Sequence, residues 1–154
     1  MAGELTPFHA GYMVPDLEVA IATFGPALGV QFLEPQELEA EADFLGGAMR
    51  WHNRFTYSVG TPGEFRYELV EPVDRSGWES IPGGPFIHHV GNWVDEYEPA
   101  EHRLLESGFV KVLGPTGEAP AGFGYFQDPN GSVTVEIAER AALQPLLEGW
   151  FGPL

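Results

Sequence analysis

The chain has no cysteine, so disulfides, thiolate nucleophiles, zinc–cysteine sites and iron–sulfur clusters are excluded, and any metal must be held by His, Asp or Glu. Basic residues are nearly as scarce. Lys and Arg number 7 against 23 Asp and Glu, a formal net charge of −16 in 154 residues. A cationic groove that tracks phosphates cannot be assembled from so few, which excludes nucleic acid as a partner. The same field repels anionic membranes and slows polyanionic ligands such as coenzyme A thioesters. Long hydrophobic runs are missing too: no stretch approaches the ~18 residues of a membrane span. The opening Met-Ala-Gly-Glu-Leu-Thr-Pro lacks the basic stretch and apolar core of a signal peptide. These absences predict a soluble cytoplasmic protein. With 44% hydrophobic and 19% charged residues, the composition is that of a globular chain, and the length predicts one domain over residues 1–154.

The local patterns place elements along that domain. Phe8 to Val14 reads as a strand closed by Pro15-Asp16, with Asp16 a good N-cap. Leu17, Ala20, Ile21, Phe24 and Leu28 recur at helical spacing up to Gly29, and Gly25-Pro26 is expected to break or kink the last turn. Val30 to Leu33 reads as a second strand, and the acidic stretch Glu34 to Asp43 as a solvated loop. Met49 to Val59 and Phe65 to Val70 are rich in aromatic and β-branched residues and flank the Gly60-Thr-Pro-Gly63 turn, so they form a hairpin. A Gly/Pro-rich linker over 73–85 follows, and the order then repeats. Strand Phe86 to Val94, helix Asp95 to Ser107 and strand Phe109 to Leu113 precede Gly124 to Gln127 and Val133 to Ala138, split by the strong turn Asp128-Pro-Asn-Gly131. A helical tail occupies 140–154, its apolar residues packed or forming a dimer contact.

The halves, about 6–72 and 86–139, match in detail. His9-Ala-Gly-Tyr-Met-Val-Pro-Asp16 aligns with His89-Val-Gly-Asn-Trp-Val-Asp-Glu96, and Tyr67-Glu-Leu-Val-Glu71 with Val135-Glu-Ile-Ala-Glu139. The second half is a diverged copy of the first, with shorter loops. Each copy offers a His at the start of its first strand and a Glu inside its last. Glu68 and Glu136 interrupt apolar strands, where a core-facing carboxylate needs a strong partner. Two-fold symmetry would gather His9, Glu68, His89 and Glu136 around one divalent ion: Fe, Mn, Co, Ni, Zn or Mg, with open positions for a bidentate ligand. His88 is the alternative to His89, since a one-residue register slip exchanges them. Glu71 and Glu139 should be solvated.

At these residues the chain resembles the vicinal oxygen chelate superfamily, which holds glyoxalase I, methylmalonyl-CoA epimerase, extradiol dioxygenases and bleomycin-resistance proteins. The resemblance covers about residues 6 to 139. It is carried by His9 through Leu17, Glu68-Leu-Val-Glu-Pro72, Gly83-Gly-Pro-Phe-Ile-His-His-Val90, and Tyr125 through Gly131 leading to Val135-Glu136-Ile137. It implies an α+β fold in which two tandem βαβββ modules form a curled mixed sheet around a metal cleft, the ligands matching His9, Glu68, His89 and Glu136. It also implies a small-molecule substrate and a homodimer. The Gly-Gly-x-x-x-His-His run is most like the epimerase branch.

The expected activity is proton transfer α to a carbonyl (isomerase, epimerase or lyase), with Glu136 or Glu68 moving the proton. An extradiol-type Fe(II) dioxygenase and a metal-free binding protein of the antibiotic-resistance kind are the alternatives. Aromatic residues Trp51, Phe55, Tyr57, Trp78, Phe123, Tyr125, Trp150 and Phe151 point to a roomy pocket for an apolar or aromatic substrate. His52 sits beside Trp51 in a strand expected to line that pocket, and is expected to orient substrate.

Overall fold

The computed structural model describes residues 4–73, 88–116 and 122–154. The expected linker over 73–85 lies almost wholly outside them, as do Trp78, Gly83-Gly84 and the first residues of the strand expected from Phe86. The first module runs β1 (Thr6–Met13), α1 (Leu17–Leu28), β2 (Gln36–Phe44), β3 (Gly47–Tyr57) and β4 (Arg66–Pro72). The second runs β5 (His89–Val94), α2 (Tyr97–Glu106), β6 (Val110–Pro115), β7 (Phe123–Gln127) and β8 (Thr134–Glu139), and α3 (Arg140–Phe151) follows it. The eight strands close into a barrel in the order β1-β4-β3-β2-β6-β7-β8-β5. Each module pairs its first and last strands in parallel, β1 with β4 and β5 with β8. The modules join antiparallel through β1 with β5 and through β2 with β6. The order is therefore the same read from either module, which is the two-fold relation that the repeat implies.

Alternation along the strands separates two environments. Interior positions of β3, β4, β7 and β8 build one aromatic-rich cluster with Phe8 and Trp93. Exterior positions carry the helices: Leu69 of β4 packs with Leu17 and Ala20 of α1, and Phe126 and Ile137 pack with Ala100 and Leu104 of α2. Leu17, Leu69, Phe126 and Ile137 are fully buried, each worth roughly 1.5–3 kcal/mol of transfer free energy. The side chain of Asp16 caps α1 by accepting from the Val19 amide at 2.8 Å, and Gly29 ends the helix at φ +70°. No helix among the described residues is long and apolar enough to cross a membrane.

Three expectations are corrected. The second strand is the acidic stretch itself, not Val30 to Leu33. In β2, Leu38, Ala40, Ala42 and Phe44 pack against the barrel interior while Glu37, Glu39 and Glu41 are exposed, so the charges are the outer half of a period-two pattern. Residues 30–33 make only an extended connection, with Leu33 N–H donating to Tyr57 O at 2.9 Å. Pro26 does not break α1. It removes one donor from a turn in which it and Ala22 are both exposed, where water can take the freed carbonyl. Glu71 is not simply solvated, because its Oε2 accepts from the Leu17 amide at 2.7 Å and ties β4 to the start of α1.

Candidate metal centre

β1 and β5 run side by side and antiparallel, with His9 opposite Gly91 and Gly11 opposite His89. Each histidine ring therefore lies over the other repeat's glycine. A Cβ on Gly11 would collide with the ring of His89, and one on Gly91 would collide with the ring of His9. The glycine two residues after each histidine is the space that the partner ring fills. Glu68 is the β4 neighbour of Gly11, and Glu136 is the β8 neighbour of Gly91, so both carboxylates enter from the flanks. On the far side of each Glu stands a tyrosine, Tyr57 opposite Glu68 and Tyr125 opposite Glu136. Those tyrosine rings meet the histidines edge-on, His9–Tyr57 at 5.4 Å and His89–Tyr125 at 5.1 Å between centroids.

The four expected ligands converge. His9 Nε2 lies 2.9 Å from His89 Nε2, 3.2 Å from Glu68 Oε2 and 3.0 Å from Glu136 Oε2. His89 Nε2 lies 3.0 and 3.3 Å from the same two oxygens. Neither oxygen makes a hydrogen bond of good geometry among the described residues, although both are buried. Donor atoms gathered at such separations match adjacent corners of a coordination shell with bonds of about 2.1 Å. Two imidazole nitrogens and two carboxylate oxygens are a borderline-to-hard donor set suited to a first-row divalent ion or Mg. The residues fit such an ion.

Without an ion the quartet polarises itself. Burial alone would lower the His9 pKa, but Glu68 and Glu136 beside it push it up to about 10, and His89 is raised by the same pair. Burial would raise both carboxyls, yet the imidazoles hold Glu68 well below the usual carboxylate range and Glu136 at about 2. Burial, and then the charges of Glu68 and Glu136, push the Tyr57 and Tyr125 hydroxyls well up, so both stay neutral donors at physiological pH.

His88 is not the converging residue. Its ring lies beside the quartet with Nδ1 at 2.9 Å from Nδ1 of His89, while its backbone amide donates to Gly11 O at 2.7 Å. It is placed to fix the tautomer that turns His89 Nε2 inward. Above the quartet opens a cavity of about 70 Å³, counted as the volume in which the centre of a water molecule can move. Trp51, Tyr57, Phe123 and Tyr125 all line it, as do Phe8 and Asn53. His52 does not: β3 sends its odd positions inward, and His52, an even one, pairs on the outer side with Glu37. The proximity of His52 to Trp51 in sequence is what separates them in space. Trp150, expected in the pocket, lines it from α3, and with it come Leu143, Leu146 and Leu147, which the sequence marks only as packed or interfacial.

A sequence profile of the Glyoxalase/Bleomycin resistance protein/Dioxygenase superfamily matches residues 8–126. The chain belongs to this superfamily. No functionally curated protein is a significant match to it. Among solved structures, this superfamily member resembles hypothetical protein BH1468 from Bacillus halodurans C-125 (TM-score 0.58, 19% identity, 88% of this chain and 94% of that one). It also resembles methylmalonyl-CoA epimerase from Mycobacterium tuberculosis (0.53, 20%, 87% and 87%). A third likeness is to a single-residue variant of Streptomyces coelicolor methylmalonyl-CoA epimerase in complex with 2-nitronate-propionyl-CoA (0.56, 13%, 88% and 98%). At these identities the likeness is one of fold.

Proposed function

We propose that the protein is a divalent-metal-dependent enzyme of the superfamily that binds two adjacent oxygens of a small molecule and moves a proton α to a carbonyl. The observation that carries this reading is the convergence of four buried donor atoms, one His and one Glu from each repeat. Two carboxylates and two imidazoles taken out of water are costly unless something gathers them. A divalent ion held by His9, Glu68, His89 and Glu136 supplies Lewis-acid polarisation of the substrate oxygens. Among the described residues, Glu68 and Glu136 are the only carboxylates lining the cavity, so one of them takes the proton. The neutral hydroxyls of Tyr57 and Tyr125 stand beside the carboxylates as donors to developing negative charge. Trp51 and Phe123, stacked at 5.1 Å between centroids, give the cavity an aromatic wall.

The test is the metal content of protein purified without added metal, repeated on the His9→Ala, Glu136→Ala double variant. Near one ion per chain, lost in the variant, supports the reading and identifies the metal. No ion, and none taken up on reconstitution, overturns it in favour of a metal-free binding protein. With the ion established, Glu68→Gln and Glu136→Gln both retaining full activity would refute the proton-transfer role.

A further inference from the structure

We propose that α3 sets the substrate class of this pocket, selecting an uncharged, compact molecule whose two adjacent oxygens are carried on an aromatic or branched apolar body, and excluding nucleotide-bearing thioesters. The inference rests on the metal reading above and adds the specificity of the same site.

The first observation is where α3 lies. Leu143, Leu146, Leu147 and Trp150 line the pocket together with Trp51 and Phe123. The helix lies outside the matched segment 8–126, as β8 with Glu136 also does. It is also firmly seated. Phe151 is buried against Phe55 and Tyr57, at 5.4 and 5.2 Å between centroids. Just beyond the helix, the buried Arg66 guanidinium donates to Pro153 O at 3.3 Å and to Ser58 O at 2.8 Å. A wall anchored at its end in this way shapes the cavity rather than sweeping across it.

The second observation is charge. Among the described residues, the only ionised groups lining the pocket are Glu68 and Glu136 themselves, and no Lys or Arg lines it. Of the described basic residues, Arg50 pairs with Glu39, Arg54 with Glu18 and Lys111 with Glu101, Arg66 donates to backbone carbonyls and Arg140 stands over the Trp93 ring. The one side-chain amide among the described lining residues has internal partners: with its oxygen turned to the Trp51 indole, Asn53 accepts from that N–H and donates to His52 O at 3.1 Å. No described cation stands above the quartet to recognise phosphates, while apolar surface is plentiful. The third observation is size. A cavity of about 70 Å³ suits a compact body, with Leu146, 36% exposed, at the rim.

The test uses cobalt(II)-loaded protein, whose visible absorption reports ligands entering the shell, titrated with benzohydroxamate, acetohydroxamate and methylmalonyl-CoA. Cobalt stoichiometry is measured first. Wild-type protein that takes up no cobalt overturns the metal reading, and this inference with it. With cobalt bound, benzohydroxamate is expected to bind at least tenfold more tightly than acetohydroxamate, and methylmalonyl-CoA to leave the spectrum unchanged at a hundred times the benzohydroxamate dissociation constant. Trp150→Ala should cut the preference for benzohydroxamate below threefold at unchanged cobalt stoichiometry. Leu146→Arg, at a tolerant exposed position, should weaken benzohydroxamate and admit the thioester. A thioester bound as tightly as benzohydroxamate by the wild type, or a preference unmoved in Leu146→Arg, overturns the inference while leaving the metal reading standing.

Discussion

The two repeats deliver the same four residues to the same places, His9, Gly11, Tyr57 and Glu68 from one and His89, Gly91, Tyr125 and Glu136 from the other, yet they support their histidines differently. Behind His89 stands His88, Nδ1 to Nδ1 at 2.9 Å. The corresponding residue before His9 is Phe8, which a register shift in β1 turns into the interior, where it stacks on Trp93 at 3.9 Å. His9 Nδ1 has no hydrogen-bond partner among the described residues. One repeat thus spends this position on orienting a ligand and the other on walling the pocket. The symmetry is strict where the donor atoms meet and relaxed one residue away.

The largest effects should come from breaking the strict part. Gly11→Ala and Gly91→Ala each push a methyl into a ring that has nowhere to go, since His9 is 0% and His89 2% exposed. Overpacking of this kind costs roughly 1–3 kcal/mol or more, or about 2–12 °C of melting temperature in a domain of this size. Metal stoichiometry should fall below about a tenth of wild type in both variants. Gly149→Ala, where a Cβ meets nothing within 4 Å, should melt at or above the wild-type temperature. Thermal melts by circular dichroism and elemental analysis check all three. Next come the carboxylates. Glu68→Gln and Glu136→Gln should each weaken Mn²⁺ binding by at least about tenfold, and by amounts equal within threefold, measured by competition with a chromophoric chelator. A loss confined to one repeat would show that the ion leans on that half.

How much of this is legible in the sequence follows from the same contrast between strict and relaxed. Glu68 and Glu136 stand out as charges in apolar strands, and the repeat pairs them with His9 and His89, so the quartet and the two-module fold can be read from residues alone. The tyrosines belong to the same pattern, each preceding its Glu by the same distance, 57 to 68 and 125 to 136. β2 is hidden because Glu and Ala are weak strand formers, and its alternation shows only once the acids are counted as the outer face. Proximity to Trp51 misplaces His52, since in a strand adjacency argues for the opposite face. Of α3, Trp150 is legible as a pocket aromatic, but Leu143, Leu146 and Leu147 are not, because a helix's amphipathic stripe tells that it packs and not what it packs upon.

Protonation offers a way to sharpen the comparison between the ion-free and ion-bound molecule. The raised pKa values of His9, about 10, and of His89 mean that their attraction to the carboxylates is fully present below about 6.5 and is lost as pH rises toward 10. The lowered values of Glu68 and Glu136 mean that the carboxylate share is present above about 4.5 and is lost as pH falls below it. Ion-free protein should therefore gain most from the quartet between about pH 4.5 and 6.5, and its melting temperature should drop from about pH 6.5 to 9. A metal requires neutral imidazoles, so the increment in melting temperature on adding Mn²⁺ should grow over that same interval. Increments that shrink with rising pH would place the ion elsewhere.

The smallest effect expected is the one that tests the relaxed position itself. His88→Ala removes the group that holds His89 Nδ1 but leaves the four donor atoms and their glycine clearances untouched, so Mn²⁺ affinity should fall by about tenfold, the usual scale for a partner behind a ligating imidazole. Phe8→Leu, its counterpart in the first repeat, keeps an apolar wall and has no bond to His9 Nδ1 to lose, so affinity should stay within twofold while the melting temperature drops through lost stacking on Trp93. Chelator competition on both variants decides the matter. Equal losses would mean that Phe8 fixes the orientation of His9 by packing as firmly as His88 fixes His89 by hydrogen bonding, and the asymmetry between repeats would then be one of means rather than of function.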